Sequence, residues 1–138
     1  FPQIVGAIFD TSYTLTHFTV TSGNDTDTRR PRVWQIQGSN DGIAWTTIFD
    51  QNNPNTPLWN AHNQVIRFDS GTDFDVPAAY TQFRMKTDAT GAVGGAFFQI
   101  NEIEFFGTEG AIPEPSTMVL SLIGLLGLGL LGRRRRRR

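Results

Sequence analysis

The 138-residue sequence predicts an all-β domain, a jelly-roll β-sandwich, followed by a single C-terminal transmembrane helix. Two observations predict the sandwich. Short runs rich in β-branched and aromatic residues alternate apolar with polar positions, and Gly/Asn/Asp/Pro clusters punctuate them at short intervals. A third observation sets the tail apart: from Met118 to Leu131 no charge interrupts the leucines and glycines, and Arg133 to Arg138 then close the chain.

The strands follow in order. Tyr13 to Thr21 is dense in threonine, valine and aromatic residues and runs into Gly23-Asn24-Asp25, which reads as a strand ending in a loop. Val33 to Gln37 alternates, placing Trp34 and Ile36 on a buried face and Gln35 and Gln37 on the other. Ser39-Asn40-Asp41-Gly42 supplies residues that tolerate positive φ, so Ala44 to Phe49 returns as the partner strand and brings Trp45 to the core. Asn52 to Asn63, rich in asparagine and proline, reads as a long surface loop. Val65 to Phe68 is a short strand, and Thr81 to Thr87 sets Phe83 and Met85 inward against a wet face of Arg84 and Lys86. Gly91 to Gly95 is a loop. The last strand, Phe97 to Phe106, is apolar at both parities, with Phe98 and Ile100 and then Ile103 and Phe105, which calls for a bulge near Asn101-Glu102.

Composition narrows the function. About 110 residues precede the tail, enough for one small core. Six of the twelve basic residues form the terminal run while all thirteen acidic residues precede it, so the rest of the chain carries a formal charge of −7. Such a body does not suit nucleic acid, whose binding rests on lysine and arginine neutralising phosphates. The chain contains no cysteine, which excludes disulfides and thiol chemistry.

No catalytic set emerges. His17 falls in a strand and His62 in a loop, without a nucleophile motif, and the carboxylate pairs Asp73/Asp75 and Glu102/Glu104 have the spacing of ordinary strand and loop residues. A sugar site needs an aromatic face for the apolar side of a pyranose and amide, carboxylate or arginine groups for its hydroxyls. Trp59, beside Asn60, His62 and Asn63 in the asparagine-rich loop, is the best stacking candidate, and Asn24, Asp25 and Arg30 offer a second polar loop. The alternative readings are that Trp59 folds back over the sandwich edge and that the second loop is a solvated turn. The expected function is non-catalytic and carbohydrate-binding; the alternative is a structural exopolysaccharide or biofilm matrix protein without a defined sugar site.

The tail divides into parts with separate physical reasons. Pro113 and Pro115 bracket Glu114 and, with Ser116 and Thr117, keep residues 110–117 an extended linker that a processing enzyme can read. Residues 118–132, with Met118, Leu122, Leu126 and Leu130 along the anchor, make a short membrane helix whose arginine flank reaches the interface by snorkelling. Arg133, Arg134, Arg135, Arg136, Arg137 and Arg138 stay cytoplasmic under the positive-inside rule, which puts the domain of residues 1–109 across the membrane. Export needs a leader, and the chain opens at Phe1 without one, so the sequence reads as incomplete at its N-terminus.

Two resemblances add to this reading. Pro113-Glu114-Pro115, the leucine/glycine span and the terminal arginines together resemble the PEP-CTERM sorting signal of Gram-negative bacteria. That resemblance implies an exosortase partner, a transient stay in the inner membrane, removal of the helix and arginines, and delivery to the cell surface or extracellular matrix. Ser22 to Asp25, Arg30-Pro31, Trp34 to Gly42, Trp45, Phe83 to Met85 and Ile100 to Gly107 resemble the second half of a discoidin or factor 5/8 type C domain. It implies the galactose-binding-like jelly roll, with a last-strand carboxylate, here Glu102, that helps hold structural calcium; family members usually open with further strands and an aspartate-rich loop.

Overall fold

A computed structural model describes residues 2–91 and 97–110. Six strands make up the fold: β1 (Gln3–Ser22), β2 (Pro31–Ser39), β3 (Thr46–Asn52), β4 (Val65–Asp69), β5 (Ala79–Thr90) and β6 (Ile100–Glu109), with one 3₁₀ turn at Asp27–Arg29. All pairings are antiparallel, in the order β3-β2-β5-β1-β4 with β6 also on β1. The Pro-Glu-Pro motif, the apolar segment 118–132, the arginines 133–138 and most of the Gly91–Gly95 loop lie outside the described residues. Within them, no helix is long and apolar enough to cross a membrane.

Strand β1 organises the molecule because it serves both layers. Its first part, Gln3 to Ile8, pairs with β5; after a shift in register between Ile8 and Tyr13 its second part lies between β4 and β6. The bend lets the front layer, β3-β2-β5 with the start of β1, fold over the back layer of β4, the rest of β1, and β6. Between the layers Leu15, Phe18, Val20, Trp34, Ile36, Trp59, Phe68, Phe74, Phe83 and Met85 form the core. Phe18 is its hub: its ring stacks on Phe68 at 4.8 Å and meets Trp34 and Phe49 edge-on at 6.1 and 5.4 Å. Aromatic pairs of this kind add about 0.5–1.5 kcal/mol each beyond the area they bury.

Several sequence expectations hold. Trp34 and Ile36 are fully buried, as are Phe83 and Met85. Thr21 pairs with Glu102 but Ser22 with Ile100, so Asn101 is the extra residue of a bulge where the double parity of the last strand called for one. Other expectations need correcting. The first strand begins ten residues earlier than Tyr13, because Gly6 and Asp10 to Ser12 do not end it but sit within the strand and its bend. The turn after β2 runs to Trp45, since Asp41 Oδ1 accepts from the Ile43 and Ala44 amides at 2.8 Å each and holds the chain in a loop before β3 starts.

Trp45 is not in the core. Its indole donates to the Gly42 carbonyl at 3.1 Å and lies under the Arg84 guanidinium, 3.7 Å from the ring centre, on the outer side of the front layer. Arg84 also donates from Nε to Gln37 Oε1 at 2.8 Å, so Gln37, outward-facing as alternation predicts, is nonetheless covered. Burial lowers the Arg84 pKa from the ordinary guanidinium value.

Candidate functional site

Three connections meet at one end of the sandwich: residues 23–30 between β1 and β2, residues 53–64 between β3 and β4, and residues 97–99 leading into β6. The topology dictates this meeting, because β1 ends where β2, β4 and β6 begin. Every candidate ligand residue read from the sequence is found here.

Arg30 fastens the connections together. It is only 4% exposed. Its Nη1 donates to the Trp59 carbonyl at 3.0 Å, while Nη2 reaches Asp27 at 2.9 Å and His62 Nδ1 at 3.0 Å. An arginine can only donate, so His62 Nδ1 is the acceptor and Nε2 carries the ring proton. The backbone beside Arg30 fixes the third connection: the Gln99 amide donates to the Arg29 carbonyl at 3.0 Å and the Gly91 amide to the Arg30 carbonyl at 3.1 Å. Arg30 is thus a buried clamp, which removes it from the groups that can meet a ligand.

Trp59 is corrected in the same way. It is 2% exposed, its ring lies 6.4 Å from that of Trp34, and its Nε1 donates to the Val20 carbonyl at 3.3 Å. The loop composition reads as solvated, yet burying an indole contributes more than a polar loop loses by folding it inward. A pyranose has no access to that face.

Buried Ser22 and half-buried Gln64 shape the loop around Trp59. Ser22 Oγ donates to the Ala61 carbonyl at 2.8 Å and accepts from the Gln64 amide at 3.0 Å. Gln64 Oε1 in turn accepts from the Asn60 and Ala61 amides at 2.7 and 3.1 Å. These bonds leave the side chains of Asn60 and His62 exposed. On the neighbouring connection Asn24 and Asp25 are exposed as well: Asn24 Oδ1 accepts from Gln99 Nε2 at 3.2 Å, and Asp25 pairs with Arg29. Gly23 permits this approach, because a Cβ there would fall 2.7 Å from Gln99.

The available aromatic face belongs to Phe97. It is 66% exposed, and the Arg29 guanidinium sits 5.1 Å from its ring centre. Sequence reasoning passes over it because Phe97 and Phe98 are adjacent, and alternation alone does not say which of the two turns outward. This end of the sandwich therefore carries an exposed ring with a guanidinium over it and, on the connections that meet there, a carboxylate, two carboxamides and an imidazole N–H open to solvent. Such groups bind a neutral polyhydroxylated ligand, stacking its apolar face and bonding its hydroxyls.

Glu102 is exposed on β6, and among the described residues no three histidine, cysteine or acidic groups gather as a metal site. Calcium takes six to eight oxygens, so Glu102 alone does not make a site.

Comparison with solved structures identifies the architecture. The chain is similar to CpGH89CBM32-5 from Clostridium perfringens, solved in complex with GalNAc-β-1,3-galactose, with a TM-score of 0.58 and 17% identity over 78% of this chain and 67% of that one. It is similar also to CBM32-1 from a family 31 glycoside hydrolase of the same organism, with a TM-score of 0.55 and 14% identity over 75% of this chain and 68% of that one. The fold is the jelly roll of the CBM32 carbohydrate-binding modules. A third structure, the C-terminal domain of a chitobiase from Bacteroides fragilis, matches with a TM-score of 0.55 and 15% identity over 80% of this chain and 66% of that one. No protein-family model and no curated protein matches the sequence.

Proposed function

We propose that the protein is an exported, non-catalytic carbohydrate-binding protein whose glycan site is the loop end of the sandwich. The observation that carries this reading is the meeting of three connections at one end of the sandwich, where Phe97 is exposed with the Arg29 guanidinium over its ring and Asn24, Asp25, Asn60 and His62 are exposed on the neighbouring connections. Phe97 stacks on the apolar face of a sugar, while the carboxamides, Asp25 and the His62 Nε2–H address its hydroxyls. Arg30 and Trp59 support the site from beneath. The similarity to a CBM32 module solved with GalNAc-β-1,3-galactose favours galactose-type glycans as the first class to try.

A glycan array tests this directly. The protein is expected to bind a galactose- or GalNAc-terminated glycan, and Phe97→Ala is expected to abolish the signal while the melting temperature stays put. Retention in an extracellular matrix with no glycan signal favours the structural matrix reading instead.

The sorting signal completes the proposal. Pro113-Glu114-Pro115, the apolar segment and the arginine run direct an exosortase to remove the tail, leaving the domain at the cell surface or in the matrix. Mass spectrometry of the secreted protein is then expected to find a C-terminus near Pro113 to Thr117; a secreted chain still ending in six arginines overturns the processing step.

A further inference from the structure

One link of the loop end depends on a nitrogen that can take up a proton. His62 Nδ1 lies 3.0 Å from Arg30 Nη2. A guanidinium donates only and keeps its charge, so this bond exists only while Nδ1 keeps its lone pair. A proton there removes the acceptor and sets an imidazolium against a guanidinium. Both changes push the two residues apart.

The surroundings offer little relief. Arg30 is 4% exposed and its Nε has no partner among the described residues, so the guanidinium is held by the Trp59 carbonyl, Asp27 and His62 alone. Asp27, the acid that reaches this pair, is already engaged with Arg30 at 2.9 Å and is 69% exposed, so water screens its charge. The other charged groups nearby are spent elsewhere or stand apart. Asp25 pairs with Arg29, Arg67 of β4 pairs with Asp69, and Glu102 of β6 sits opposite Thr21. Residues 53–64 carry no other titratable side chain, and Asn101 of β6 meets this connection through a neutral bond to Asn63.

We propose that His62 is a proton-operated latch: neutral, it ties residues 60–63 to Arg30, and protonated, it lets them go. The tied form excludes the Nδ1 proton that the released form accepts, so acid favours release. Histidine ordinarily changes charge between about pH 5 and 8, which puts such a switch within mild conditions. The opening is local, because Trp59 remains held by the Val20 carbonyl and by its contact with Trp34. Since Asn60 and His62 belong to the glycan site proposed above, release of the glycan in mild acid follows on that reading.

Amide exchange of the full chain at about pH 7.5 and about pH 5.5, corrected for the intrinsic effect of pH, tests the latch. The amides of Asn60, Ala61 and Gln64, which are bonded to Gln64 Oε1 and Ser22 Oγ, are expected to lose at least about tenfold in protection at the lower pH, the scale of one hydrogen bond to a charged group. Those of Ile43 and Ala44, bonded to Asp41 at the other end, are expected to keep theirs. In His62→Asn the carboxamide oxygen can stand where Nδ1 stood and accepts at either pH, so protection is expected to be the same at both. Protection that acid leaves unchanged in the unsubstituted protein overturns the proposal; so does an equal acid loss in His62→Asn. Titration with a galactose-terminated glycan at the same two pH values keeps the two readings apart: affinity that stays constant while these amides open overturns the glycan site at the loop end and leaves the latch standing.

Discussion

The two ends of the sandwich handle polar residues in opposite ways. At the far end the turn after β2 turns its polar side chains back onto the protein's own backbone. Asn40 donates to the Ala79 carbonyl at 3.2 Å and accepts from the Thr81 amide at 2.9 Å, Asp41 caps the Ile43 and Ala44 amides, and Trp45 is closed off between Gly42 and Arg84. At the loop end the binding together is done underneath, by Arg30, Ser22, Gln64 and Trp59, and an outer layer of Asn24, Asp25, Asn60, His62 and Phe97 is left to solvent. Similar residue types thus turn onto the backbone at one end and stay open to solvent at the other. What separates them is whether the exposed side chains are themselves spent on the loop backbone.

Substitutions that break this contrast rank by burial. Trp59→Ala removes a core indole and leaves a cavity, with an expected loss of about 3–5 kcal/mol in denaturant unfolding. Trp45→Ala, at the sealed end, removes an outer-face ring and its contact with Arg84, with an expected loss of about 1 kcal/mol. If the two losses prove equal, the assignment of Trp59 to the core and Trp45 to the surface is wrong. Arg30→Met falls between the two, at about 2 kcal/mol, because it deletes charged hydrogen bonds to Trp59 and His62. Amide exchange is expected to quicken across residues 23–30 and 60–63 in that variant while residues 40–45 keep their protection.

Phe97→Ala sharpens the comparison from the other side. It is expected to cost at least about tenfold in glycan affinity, or about 1.4 kcal/mol, with no change in unfolding midpoint. The smallest effect concerns Asp41, whose carboxyl is held below its ordinary pKa chiefly by the Ile43 amide, then by the Ala44 amide and the Ser39 hydroxyl. A depressed folded-state pKa contributes stability that is present above the unfolded value near 4 and disappears as the pH falls through the folded one. Asp41→Asn is therefore expected to flatten the acid limb of the stability profile, leaving neutral-pH glycan affinity untouched.

The sequence and the structure agree where local pattern decides the outcome. Alternation around Trp34 and Phe83 gave both faces of the front layer, and the conflicting parity of residues 98–105 gave the bulge at Asn101. They part where a distant partner decides it. Nothing between Asn52 and Asn63 announces that Trp59 will donate to Val20 or that Arg30 will hold its carbonyl, since those contacts span 39 and 29 residues. Strand β1 was half legible for a related reason: Gly6 and the bend at Asp10 look like interruptions until β5 and β6 are present to pair on either side. Asn24, Asp25, Asn60 and His62 point to the loop end from the sequence alone, while the aromatic ring that the same loop composition singles out, Trp59, is buried and the exposed ring is Phe97.

The claim that most needs testing is that a glycan enters at the loop end. Titration of the ¹⁵N-labelled protein with a galactose-terminated disaccharide reads this residue by residue. Amide shifts are expected at residues 23–30, 60–63 and 97–99, with residues 40–45 unmoved; shifts confined to the 40–45 turn or to the outer face around Trp45 and Arg84 contradict the account.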